Sequence, residues 1–152
     1  MKKRKKTFVQ ALTSLVILSA IVIAVASYFI FNNALIGPIF LILGFVSLTF
    51  ISFFKIKIKA IYPDLVFGII DNGVLVFAAV LGGQIAGVFG AIIGGAVGNT
   101  VTDGIGGLFE GHIVETRKIR PRTALSSSLG KMSGCLFGAG AGLILIWLIS
   151  LF

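Results

Sequence analysis

Charge is what this sequence lacks most. Only 12% of its 152 residues are charged and five are acidic, while 57% are apolar and the mean hydropathy is +1.11. A soluble globular domain carries about 25% charged residues, so that class is excluded. Disorder is excluded too, because disordered chains are poor in apolar residues. The single cysteine, Cys135, allows no internal disulfide and no cysteine metal cluster, and it reads as a small packing residue in an apolar run. The single histidine, His112, removes the His/Cys set that zinc needs, and it reads as solvated in a loop. No phosphate-loop pattern is present, and Gly-x-Gly-x-x-Gly fragments inside an apolar helix carry no nucleotide site by themselves. Ser126, Ser127 and Ser128 have no base placed to activate them and read as a helix start. Nothing points to an enzyme.

What is present is apolar sequence in long runs. Phe8–Phe31 is too long for the core of a removable signal peptide and fits a retained membrane span. Further helices are expected over Leu35–Phe54, Asp64–Gln84, Ala86–Phe109 and Ala124–Ser150. Asn32-Asn33 with Gly37-Pro38 mark the first turn, Tyr62-Pro63 closes an interfacial Lys55–Lys59 stretch, Gly82-Gly83-Gln84 forms a turn, and Glu110–Thr123 is a polar loop. The expected fold class is an all-α integral membrane protein of about five transmembrane helices, with a Gly-rich, close-packed core of helices three to five. The chain divides into 1–61, a basic N-terminus with a two-helix anchor, and 62–152, a three-helix core.

The charge balance of 13 basic to 5 acidic residues, +8, comes from three short clusters: Lys2 to Lys6, Lys55 to Lys59, and Arg117 to Arg122. They lack the interleaved aromatics of a nucleic-acid surface, so no nucleic-acid partner is expected. Lys and Arg collect in cytoplasmic loops. With an odd number of spans all three clusters fall on the inner side. The N-terminus is then cytoplasmic, and the uncharged turns and the C-terminus lie outside. The Lys-rich start lacks the Arg/Ser mixture of a transit peptide, which favours a prokaryotic plasma membrane.

The first two spans are poor in glycine and the last three hold most of the 20 glycines. Gly130, Gly134, Gly138 and Gly142 repeat every four residues. Small residues at that spacing let helix backbones approach closely, and a homodimer through the fifth helix is one use.

Asp71, Asp103 and Lys131 fall inside spans, with Asp64 and Glu110 at span ends. A charged side chain in hydrocarbon costs at least about 2.5 kcal/mol and marks an ion site, a proton relay or an internal pair. The third and fourth helices are antiparallel neighbours, so Asp71 and Asp103 come at one level, about 10 Å from the inner surface. Asn72, Asn99 and Thr102 add amide and hydroxyl oxygens beside them, and Asn99, Asp103 and Glu110 share a helix face. Gly73 and Gly104 follow the aspartates and permit a local break. Such oxygens suit hard cations such as Na⁺ and Ca²⁺. Two alternatives stand beside a cation pathway. The same groups form a neutralised polar knot that ties three helices together, or Lys131 snorkels to the interface.

Four segments together resemble the transmembrane protein sixty-five family. They are Phe67-Gly68-Ile69-Ile70-Asp71-Asn72, then Gly98-Asn99-Thr100-Val101-Thr102-Asp103-Gly104, then Glu110–Glu115, and Leu129-Gly130-Lys131 with Gly134-Cys135. The resemblance runs over Tyr62–Ser150. It implies a three-helix membrane region, relatives in the mitochondrial inner membrane, and sodium-dependent calcium efflux. By carry-over, Asp71, Asn72, Asn99, Thr102 and Asp103 are the cation ligands. Thr102 stands where the family pattern has Ser, and the two leading helices are additional. The expected function is therefore membrane cation transport, most simply Na⁺/Ca²⁺ exchange. Lys131 and Glu110 serve as counter-charge or gate, no cofactor is needed beyond the transported ions, and the partners are the bilayer, inorganic cations and a second copy. A passive cation channel and a non-transporting structural or assembly protein are the alternatives.

Overall fold

The computed structural model describes residues 2–32, 35–117 and 123–151; the start and end of the chain, Ala34 with Asn33, and most of the third basic cluster lie outside them. The described residues are helical, in four elements: α1 Lys2–Phe31, α2 Ile36–Phe53, α3 Ile58–Arg117 and α4 Ala124–Ile149. Each is long and apolar enough to cross a membrane.

Several expected boundaries move, each for a local reason. α1 runs back from Phe8 to Lys2, since Lys and Arg are good helix formers and nothing there stops the helix. Gly37-Pro38 is the first turn of α2 rather than a loop, because proline lacks an N–H that the first turn leaves unbonded anyway. α2 ends in a Schellman turn: the Lys55 N–H donates to Ser52 C=O at 2.9 Å and the Ile56 N–H to Ile51 C=O at 3.1 Å. Lys55 takes φ 55° there, in the left-handed region. Tyr62-Pro63 does not close the interfacial stretch. α3 starts at Ile58 and carries Pro63 inside it, where only the bond to the residue four back is lost. The expected Glu110–Thr123 loop is helical as far as Arg117.

α3 is two antiparallel arms. Its backbone leaves helical geometry at Ala86 (φ −136°, ψ 27°) and Gly87 (φ 58°, ψ −144°), the latter a left-handed conformation suited to glycine. The reversal falls just after the expected Gly82-Gly83-Gln84 turn. Those glycines instead permit close approach of the arms. Gly82 lies on the backbone of Gly90, and Gly83 opposite Ala91. The 58–85 and 88–117 arms meet in register as Gly82 with Gly90, Ala78 with Gly94, Leu75 with Gly98, and Phe67 with Gly106.

α4 is the centre of the packing, in contact with the other three helices. Thr123 caps it: its hydroxyl accepts from the Ser126 N–H at 3.1 Å, and Ser126 Oγ accepts from the Thr123 N–H at 3.0 Å. Its glycine face lies against the 58–85 arm, with Gly134 on Leu65 C=O and Gly138 on Ile69 C=O. The face considered for a dimer is thus occupied within the chain. α2, assigned from sequence to anchoring, runs antiparallel to α4, with Gly37 on Ile144, Gly44 on Phe137, and a buried 2.7 Å hydrogen bond between the Ser47 and Ser133 hydroxyls. α1 adds Leu18 to a buried cluster with Ile51, Ile61 and Leu129 and otherwise exposes large apolar side chains. Such an exterior suits lipid.

These contacts sort the helix ends into two sets. The start of α3, the Arg117 end of its second arm, the end of α2 and the start of α4 form one end, here the base. The 85–88 reversal forms the tip.

Candidate functional site

Asp71 sits near the middle of the 58–85 arm, about 20 Å from either end at 1.5 Å per residue. It points at the other arm and is 8% exposed, against 2% for Thr102, which meets it there. The Thr102 hydroxyl lies 2.6 Å from Asp71 Oδ1 and donates to it. The same oxygen is 3.0 Å from Gly98 C=O and 3.1 Å from Asn99 C=O, which compete for its single proton, and the carboxylate is the nearest acceptor. The contact exists because the small residues on both arms bring the backbones close on either side of it.

Asp103 follows Thr102 and is at the same level as Asp71, but the expected depth of about 10 Å becomes about 20 Å, because α3 begins at Ile58 and runs to Arg117 rather than being bounded by Asp64 and Phe109. Consecutive helix residues point about 100° apart. Asp103 therefore turns off the inter-arm seam and is exposed, and its Oδ2 accepts from Asn99 Nδ2 at 3.0 Å. Asn72, the neighbour of Asp71, turns the other way and donates from Nδ2 to Cys135 C=O on α4 at 3.2 Å. The five expected ligands thus form three neighbouring groups: Asp71 with Thr102 in the seam, Asn99 with Asp103 on the open flank, and Asn72 on α4. Among the described residues no three His, Cys, Asp or Glu side chains converge as they would around a bound metal.

Lys131 and Glu110 do come together. Lys131 Nζ lies 3.2 Å from Glu110 Oε2, and their side chains are 41% and 16% exposed. The ammonium also stands 4.4 Å above the centre of the Phe67 ring. Phe67 itself packs on Gly106, so it floors the place where the 88–117 arm and α4 diverge. Glu110 shares a face with Asn99 and Asp103 as expected, but it reaches α4.

Three features escaped sequence reading. Asp64, placed at a helix end, is fully buried and accepts from Ser127 Oγ at 2.7 Å. Ser126 and Ser127 thus divide the helix-start role between capping and binding Asp64, while Ser128 bonds Ala124 C=O. Phe67 as a seat for Lys131 was signalled only by its position one turn before Asp71. The Asn72 bond to Cys135 goes to a backbone carbonyl, which no side-chain pattern announces. His112 is on the second arm of α3 rather than in a loop, and it is exposed.

The chain matches no family model, no curated protein and no solved structure.

Proposed function

We propose that this chain transports cations across a membrane, with Asp71 as the principal ligand. The observation that carries the reading is a buried carboxylate at mid-span, facing a hydroxyl on the antiparallel arm, with a second carboxylate one residue away from that hydroxyl. A charge at that depth is costly unless compensated. Thr102 supplies one hydrogen bond, and a cation supplies the rest. Asn72 and Asn99 each lie within one residue or one turn of a carboxylate and complete a set of hard oxygen donors.

Two carboxylates neutralise one divalent ion or two monovalent ions, which is a physical basis for exchange. With the resemblance to the transmembrane protein sixty-five family, that equivalence supports sodium-dependent calcium exchange as the specific reaction. In this reading the two arms of α3 count as separate spans, giving five. The base with its basic clusters faces the cytoplasm of a prokaryotic cell, and a second copy covers the exposed flank of Asp103.

Radiocalcium uptake into proteoliposomes, with and without a sodium gradient, tests it. Wild-type protein should take up calcium only when sodium can flow the other way. Asp71→Asn should lower uptake by at least tenfold, and Asp103→Asn should lower it less. Uptake without a sodium gradient would make the protein a channel. Normal uptake by Asp71→Asn would move the site elsewhere, and a loss of stability without any ion dependence would make the polar cluster a helix tie.

A further inference from the structure

The 58–85 arm presents different faces to its two neighbours. Leu65, Gly68, Ile69 and Gly73 meet α4, whereas Phe67, Asp71, Leu75 and Ala78 meet the second arm. The second arm and α4 therefore flank a cleft whose floor is the boundary between those faces. From base to tip it passes Lys131 with Glu110 above Phe67, and then Asp71 with Thr102, Asn72 with Cys135 C=O, and Asn99 with Asp103, one turn further along the 58–85 arm and α4 and about two turns further along the second arm. Phe67 is four residues, one turn, before Asp71 and Lys131 four before Cys135, while Glu110 is seven residues, about two turns, past Asp103 and reaches back to Lys131. The ion pair ties the two flanks together directly over the floor, on the base side of Asp71.

We propose that the Lys131–Glu110 ion pair seated on Phe67 is a latch that closes the base side of the cleft, so that Asp71 is reached from the base only when the pair opens. The proposal rests on the reading of Asp71 as the cation site and adds how access to it is controlled. Lys131 is suited to such a role. Its ammonium is a cation on a tether, held by a carboxylate and by the negative face of a ring. The pair is a single 3.2 Å contact between two side chains, so it opens by rotation of Lys131 without separating the helices. A divalent ion at the base side would compete with Lys131 for Glu110 and favour opening.

Cys135, the one cysteine, lies on the same face of α4 one turn beyond Lys131 and reports on the cleft without any added cysteine. The test is the rate of its modification by membrane-impermeant thiol reagents applied to the base side of reconstituted protein. One reagent is cationic and one neutral. Glu110→Gln and Lys131→Gln should each speed labelling by both reagents severalfold. Simple electrostatics gives the opposite sign for Glu110→Gln, since removing a negative charge slows a cationic reagent. The swapped double variant Lys131→Glu with Glu110→Lys should return toward the wild-type rate. Unchanged or slower labelling of Glu110→Gln would overturn the latch. An equal rise from the tip side would also overturn it, because that means general loosening. Labelling needs no transported ion: lost latch behaviour with intact sodium-driven uptake sinks the latch alone, and altered labelling without any uptake sinks the cation reading alone.

Discussion

Thr102 shows how much depends on one hydroxyl. It is nearly inaccessible and donates to a carboxylate at mid-span. Removing a hydrogen bond to a charged, buried group costs roughly 1–3 kcal/mol. Thr102→Val keeps the shape and deletes the donor, so it should lower the melting temperature in detergent and reduce calcium uptake with it. Thr102→Ser retains the donor and should preserve most of both. A valine variant as active and as stable as wild type would remove Thr102 from the site. The types of residue at this site were readable in the sequence, because a carboxylate among apolar residues is conspicuous. Their directions were not. Asp71 and Asp103 share a level, and yet one enters the seam and the other faces out, because Thr102 rather than Asp103 is the residue in register with Asp71.

At the scale of elements, glycine decides which faces can touch. A Cβ added at Gly138 would meet the Ile69 carbonyl, and one at Gly134 the Leu65 carbonyl, whereas one at Gly107 would meet nothing within 4 Å. Gly138→Leu should therefore force α4 off the 58–85 arm and destabilise by about 1–3 kcal/mol or more, the usual cost of overpacking. Gly107→Ala should leave the melting temperature unchanged or raise it, since alanine favours a helix over glycine by up to about 1 kcal/mol. Equal losses in both variants would mean that helix propensity, not contact, governs. The four-residue spacing did not name a partner: the face of α4 held for a dimer packs on α3 in the same chain. Gly82 and Gly83 looked like a turn for a similar reason. Glycine serves both turns and close approach, and only the position of the opposing helix tells them apart.

For the whole molecule, the arrangement of helices puts the Lys55–Lys59 stretch and the Arg117 end of α3 together at the base, opposite the 85–88 reversal. If basic segments stay in the cytoplasm, the base lies there. In a Cys135→Ser background, Lys57→Cys should react with an impermeant reagent from the cytoplasmic side and Gln84→Cys from the other. Reaction of both from one side would show that α3 enters and leaves the membrane at a single face, and the five-span reading would fail.

The apolar runs were enough to establish helices long and apolar enough to cross a membrane, where hydrocarbon permits no unbonded backbone and a helix satisfies its own. The scarce polar residues stood out in them for the same energetic reason. The pairings belong to the fold alone. Which carboxylate meets Thr102, what Lys131 grasps and where α4 rests depend on helix rotation and register, and these are set by contacts between segments as far apart in sequence as Gly37 and Ile144, 107 residues.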